Sequence, residues 1–307
     1  MNLTLPHMPS MPAPRFIRTN GIDMAVHVTE GSAEESLPIV LLHGFPELAF
    51  SWRYQISPLA QAGCLVVAPD LRGYGRTGPQ GKISDYSMAN LERDVLGLLD
   101  ALAIPKAIFV GHDFGGALAW SIARDHADRV LGVVALNTPY TRRGKVDLVE
   151  AVRLARGINH YMVTFQEPGV GEAMLGADIE ATFRGLMRRP ALTLPEFEKA
   201  PATLRALPAT LFVGEPAVMG KALLGDEELA VFTQAFCRTG FAGALSWYRN
   251  LRQNWEDTAN TPDRVSVPAL MISAADDFFL PPATSLGMEH IVPDIERHIV
   301  PDCGHWT

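Results

Sequence analysis

Cysteine is scarce, with only Cys64, Cys237 and Cys303 in 307 residues. Thiols so few and far apart cannot form a disulfide framework, and without a CxxC pair they suggest no zinc ribbon. A reducing cytoplasm is the compartment they imply. Long hydrophobic runs are missing as well, so no membrane span is expected. The segment Met1–Arg18 carries Pro6, Pro9, Pro12 and Pro14 but no early basic cluster or apolar stretch, and it reads as a loose arm rather than a signal peptide. Basic residues are outnumbered, 26 Lys plus Arg against 34 Asp plus Glu, and the net charge of −8 opposes binding to nucleic acid or anionic lipid. Internal repeats are absent. No HExxH spacing points to a metal, and the glycines between Val163 and Gly176 follow no strand, so they make no dinucleotide fingerprint. The chain reads as one that works without a cofactor.

What is present is an ordinary globular composition, 48% hydrophobic and 20% charged, long enough for about two domains or one interrupted domain. Short runs of Val, Ile and Leu stop abruptly at Gly, Asp or Pro, as buried strands of a parallel sheet do. They are Pro38–Leu42, Cys64–Ala68, Ala107–Val110 and Val130–Leu136, then Pro268–Ser273 and His298–Val300. Ser87–Leu102 places Leu91, Val95, Leu98, Leu99 and Leu102 at helical spacing, and Gly115–Val130 reads as a second helix. The alternation predicts an α/β sheet whose site lies at the carboxyl ends of its strands. From 140 to 260 the rhythm turns helical, over Val146–Arg156, Ile179–Arg188, Phe197–Leu204 and Glu227–Trp255. Residues 1–139 and 261–307 are therefore expected to form one α/β core, with 140–260 inserted as a cap, whose segment Glu215–Glu227 would shape an entrance.

The chemistry concentrates where strands end. Gly111-His112-Asp113-Phe114-Gly115 follows a strand and opens a helix, the context of a nucleophile elbow with Asp at the nucleophile position. A simple helix cap is the alternative for Asp113, but a cap needs no glycine on both sides. A carboxylate that attacks saturated carbon forms an ester that water can cleave, so Asp113 implies an alkyl electrophile. Hydrolysis needs a base, and His305, after the last strand, has the residue type whose ordinary pKa of about 6.5 suits the task. Asp277 is the expected partner of its ring, with Asp276 the alternative and otherwise a solvated or capping residue. The chain order Asp113, Asp277, His305 is that of nucleophile, acid and base in an α/β-hydrolase. The ester step builds an oxyanion, for which the amides of Phe45 and Phe114 are the expected donors, with Gly44 and a turn at Pro46 shaping the loop. His43 and His112 are expected to hold loops by hydrogen bonds rather than act as bases.

These residues resemble the α/β-hydrolase superfamily and, within it, the soluble-type epoxide hydrolases. The motifs are His43-Gly-Phe-Pro-Glu47, Asp70-Leu-Arg-Gly-Tyr-Gly75, Gly111-His-Asp-Phe-Gly-Gly116, Asn137-Thr-Pro139, Phe165-Gln-Glu-Pro-Gly169, Trp247-Tyr-Arg-Asn250 with Asn254-Trp255, and Asp302-Cys-Gly-His-Trp306. The resemblance implies an α/β-hydrolase fold with a mostly parallel sheet and a helical cap. It also implies two cap tyrosines, Tyr161 and Tyr248, that bind and protonate the epoxide oxygen; phenols suit this because they stay protonated near neutrality. His43, Pro46, Phe165 and Trp247 would belong to the pocket. The implied substrate is a small hydrophobic epoxide, hydrolysed to a vicinal diol by a monomer or homodimer. Phe114 stands where relatives often carry Trp. A closing helix would follow the base, whereas this sequence ends at Thr307, so weaker support of His305 is expected. A haloalkane or haloacid dehalogenase is the enzymatic alternative, though Phe114 supplies neither an indole N–H nor a guanidinium beside the nucleophile. A non-catalytic binder of hydrophobic ligands is the alternative of another class.

Overall fold

In the computed structural model the described residues are 9–31, 33–213 and 219–307. Ten strands are present among them: β1 Arg15–Thr19, β2 Ile22–Val28, β3 Leu37–Leu42, β4 Cys64–Pro69, β5 Ala107–His112, β6 Val130–Leu136, β7 Arg188–Pro190, β8 Met219–Ala222, β9 Ala269–Ala274 and β10 Ile295–Val300. Eight of them form one sheet in the order β1-β2-β4-β3-β5-β6-β9-β10. The hairpin β1–β2 runs antiparallel at one edge, and every pair from β4 to β10 is parallel. Central β3 buries Val40, Leu41 and Leu42 completely, which explains why its sequence is apolar on both faces. Edge strand β10 leaves Ile299 62% exposed.

Helices α1 Arg53–Gln61, α2 Met88–Ala101 and α3 Phe114–Asp125 pack on the sheet. Leu91, Val95, Leu98 and Leu99 form the buried stripe of α2, as their spacing requires. Between β6 and β9 lie α4 Leu148–Arg156, α5 Tyr161–Thr164, α6 Val170–Gly176, α7 Ile179–Leu186, α8 Leu194–Phe197, α9 Ala202–Arg205, α10 Asp226–Thr239, α11 Ala242–Arg249 and α12 Leu251–Asp257, with the small two-stranded antiparallel sheet β7–β8. Rings of Phe183, Phe232, Phe236 and Phe241 pack together inside this layer. It is tied to the sheet domain by the Trp247 indole, which donates to the Arg72 carbonyl at 3.0 Å, and by Arg53 Nη2 against Glu228 Oε1 at 2.7 Å.

Three expectations are corrected. The arm Met1–Arg18 is not loose throughout: residues 1–8 lie outside the described residues, but Arg15–Thr19 is strand β1. The stretch Glu227–Trp255 is three helices rather than one, interrupted at Gly240, whose φ of 60° ends α10, and at Asn250 between α11 and α12. The stretch Phe197–Leu204 is broken because Pro201 precedes α9 and has no N–H to continue α8. Of the expected entrance segment Glu215–Glu227, residues 215–218 lie outside the described residues and the next four form β8. No helix among the described residues is long and apolar enough to cross a membrane.

Candidate active site

Asp113 sits between β5 and α3 with φ 50° and ψ −121°, a backbone region that non-glycine residues seldom occupy. The turn is possible only because its neighbours lack side chains. A Cβ on Gly115 would collide with the Leu42 carbonyl, and one on Gly44 would collide with Asp113 itself. The carboxyl group is thereby pushed out of the sheet and beneath the helical layer.

Two other strand ends meet it. His305 follows β10 and places Nε2 3.8 Å from Asp113 Oδ2, while its Nδ1 lies 2.9 Å from Asp277 Oδ2. Asp277 follows β9 and is fully buried. Its Oδ1 accepts the amides of Phe279 at 2.8 Å and Leu280 at 3.0 Å. Burial alone would raise the Asp277 pKa, but the His305 imidazole and these two amides outweigh it and hold the carboxyl below its ordinary range. Asp276 points elsewhere, its Oδ1 accepting the Leu194 amide at 2.8 Å.

The Phe45 amide donates to Asp113 Oδ1 at 3.0 Å, so one of the two expected oxyanion donors is already on the carboxylate. The Phe114 amide makes no hydrogen bond to that carboxylate among the described residues. Tyr161 on α5 and Tyr248 on α11 face the same point, their rings 5.9 Å apart at 87°. Burial pushes both phenols well above the ordinary tyrosine pKa, with nearby negative charge adding to the effect, so both stay protonated near neutral pH.

Phe45, Asp113, Tyr161, Leu186, Phe212, Tyr248, Phe279, His305 and Trp306 enclose a cavity whose free space is about 10 Å³, the room of about one water. Four expected pocket residues do not line it. His43 is spent on the backbone, its Nε2 accepting the Leu71 amide at 3.0 Å and its Nδ1 lying 3.0 Å from the Gly44 carbonyl. Pro46 is buried in the loop behind Phe45, Phe165 packs beneath Tyr161 and Tyr248, and the Trp247 indole is held by the Arg72 carbonyl. Beside Pro46 and Trp247 the neighbouring residues, Phe45 and Tyr248, took the inward position. Leu186, Phe212, Phe279 and Trp306 were not expected at the wall. Phe279, just beyond Asp277, and Trp306, next to His305 in the Asp302–Trp306 motif, carried a sequence signal, because both follow strand ends that bear expected site residues.

Sequence reasoning assigned no role to Glu47, yet it anchors a second pair behind the first. His112 Nδ1 lies 2.7 Å from Glu47 Oε2, and that oxygen also accepts the Gly44 amide at 2.7 Å. Burial would lower the His112 pKa, but the charge and hydrogen bond of Glu47 raise it to about 9. Burial would raise Glu47, but His112 brings it down to about 2. The other ring nitrogen, His112 Nε2, is 2.7 Å from the His305 carbonyl, which also accepts Asn137 Nδ2 at 2.8 Å. Asn137 Oδ1 accepts the Ala274 amide at 2.8 Å, joining the ends of β6 and β9 to the His305 loop.

The alpha/beta hydrolase fold family matches residues 38–307. Epoxide hydrolase A of Mycobacterium tuberculosis is 39% identical over 302 residues, covering 96% of this chain and 92% of that protein. Bifunctional epoxide hydrolase 2 of Sus scrofa is 39% identical over 272 residues, 88% of this chain but 48% of that protein, so the chain spans about half the length of this mammalian relative. The crystal structure of epoxide hydrolase A from Mycobacterium thermoresistibile superposes with a TM-score of 0.84 at 34% identity, covering 96% of this chain and 93% of that one.

Proposed function

This chain belongs to the α/β-hydrolase family, among its epoxide hydrolases, and on that premise we propose that it converts a hydrophobic epoxide to a vicinal diol through an ester of Asp113, without a cofactor. The observation that carries the reading is the convergence of one carboxylate, one imidazole and two un-ionised phenols on a single cavity.

Asp113 Oδ2 attacks a ring carbon from behind, and the breaking C–O bond leaves its electron pair on the epoxide oxygen. Tyr161 and Tyr248 hydrogen-bond that oxygen, and one gives up its proton to the developing alkoxide, a stronger base than a phenolate. Water then attacks Cγ of Asp113 while His305 Nε2 takes its proton. Oδ1, opposite the Phe45 amide, receives the negative charge. Collapse breaks the bond from Cγ to the alkyl oxygen, the diol leaves with the proton from His305, and the proton remaining on Asp113 restores the phenol. Asp277 keeps the imidazole in one tautomer and orientation. The dehalogenase alternative gains nothing here, since the Trp247 indole is committed to Arg72 and the Phe114 ring packs on Trp247 and Tyr248.

One turnover in heavy-oxygen water tests the reading. The expected result is label in the peptide containing Asp113 and none in the first diol released; label in that diol with an unlabelled Asp113 contradicts the ester.

A further inference from the structure

The tyrosine on α5 stands on weak ground. The helix is one turn, Tyr161–Thr164, and so short a helix does not hold itself together because its nucleation is unfavourable. Something outside the turn must fix the direction of the Tyr161 ring. The Tyr161 amide is tied to the Leu207 carbonyl at 3.0 Å, but this bond leaves the side chain free to rotate.

His160, the residue before, supplies what is missing. It is the N-cap of the turn, and its Nδ1 accepts the Met162 amide at 3.1 Å, satisfying a donor that would otherwise be orphaned. Ser, Thr, Asp and Asn are the usual residues for that position. None of them brings a ring. The His160 imidazole stacks on Tyr161 with centroids 4.4 Å apart at 30°, whereas Phe165, Phe212, Tyr248 and Phe279 approach it at 50° to 87° and from 5.0 Å or more. It is the nearest and the most nearly parallel of the five rings. His160 is buried, 3% exposed. Burial, reinforced by Arg156, lowers its pKa to about 4, so at neutral pH Nδ1 keeps the lone pair that the cap requires.

We infer that His160 is a positioning residue for epoxide opening, which caps the α5 turn with one atom and flanks the Tyr161 ring with its face, so that the phenol hydroxyl is aimed at the oxygen leaving the ring carbon. The inference rests on the reading of Tyr161 given above. It predicts an effect on one chemical step only, because Tyr161 acts while the Asp113 ester forms and His305 acts while it is hydrolysed.

Rapid-quench single-turnover kinetics with styrene oxide, normalised to the ester-forming fraction of each preparation, separates the two steps. His160→Asn keeps an acceptor and loses the ring; His160→Phe keeps a ring and loses the acceptor. Each is expected to slow ester formation about tenfold, and His160→Ala about a hundredfold, as a misplacement near 1 Å does. Ester hydrolysis should stay within about twofold of the parent protein, which a merely structural defect would not permit. In a Tyr161→Phe background, adding His160→Ala should change ester formation less than about twofold, since no hydroxyl remains to be aimed. Equal slowing of both steps, parent-like ester formation in all three variants, or full additivity with Tyr161→Phe overturns the inference. If the parent protein forms no Asp113 ester, the reading beneath it fails as well; if it forms the ester and the His160 variants do so at the same rate, the positioning role alone is lost.

Discussion

Two histidine–carboxylate pairs lie side by side beneath the cap, their imidazole centroids 4.8 Å apart, and they differ in what the second ring nitrogen meets. His305 spends one nitrogen on Asp277 and leaves the other facing Asp113 and the cavity. His112 spends one nitrogen on Glu47 and the other on the His305 carbonyl, so no lone pair or proton is left for substrate. The first pair can exchange a proton with water. The second joins the Gly44 loop, the end of β5 and the His305 loop by hydrogen bonds, which suits a lock that holds the reacting groups in register. Residue type does not separate a base from a brace; the fate of the second ring nitrogen does.

The largest expected effect comes from breaking the first pair. His305→Gln should lower kcat by about 1,000-fold or more while the Asp113 ester accumulates, and Asp277→Asn should fall about as far because the ring loses its tautomer. Steady-state kinetics with acid-quench trapping checks both. Breaking the second pair should act on stability first. His112→Phe leaves Glu47 as an uncompensated buried charge, and a urea titration should show a loss of about 3 to 5 kcal/mol.

A smaller effect is read as pH dependence. The folded pKa of His112, about 9, lies above its ordinary 6.5, so its contribution to stability is complete below 6.5 and is lost as pH rises through 9. The folded pKa of Glu47, about 2, lies below its ordinary 4.5, so its contribution is complete above 4.5 and is lost as pH falls through 2. Thermal melts should therefore decline on both sides of a plateau between pH 4.5 and 6.5, and Glu47→Gln should flatten both limbs. The smallest effect belongs to Asp276→Asn. It weakens one hydrogen bond to the Leu194 amide, about 0.5 to 1.5 kcal/mol at most, with kcat unchanged.

The α/β architecture was legible because its central strands are apolar on both faces and stop at special residues, and Asp113 and His305 stood out because such ends are where an α/β sheet carries chemistry. The β1–β2 hairpin was overlooked: β1 has only Phe16 and Ile17 to betray it, and Phe16 is 59% exposed. Asn20-Gly21, at φ 41° and 81°, is a hairpin-turn signal that would have found it. The cavity wall was harder to read. Leu186 and Phe212 come from distant cap segments and meet Asp113 only through tertiary packing, which no local pattern encodes. Glu47 escaped notice because its partner, His112, lies 65 residues away.

The claim on which the rest depends is that the Asp113 carboxylate becomes covalently esterified and that His305 releases it. Mixing the His305→Gln variant with styrene oxide and measuring its intact mass and digested peptides tests this most directly. The account predicts a gain equal to one epoxide, carried by the peptide holding Asp113; an unchanged mass while diol is still produced, or an adduct on any other residue, would contradict it.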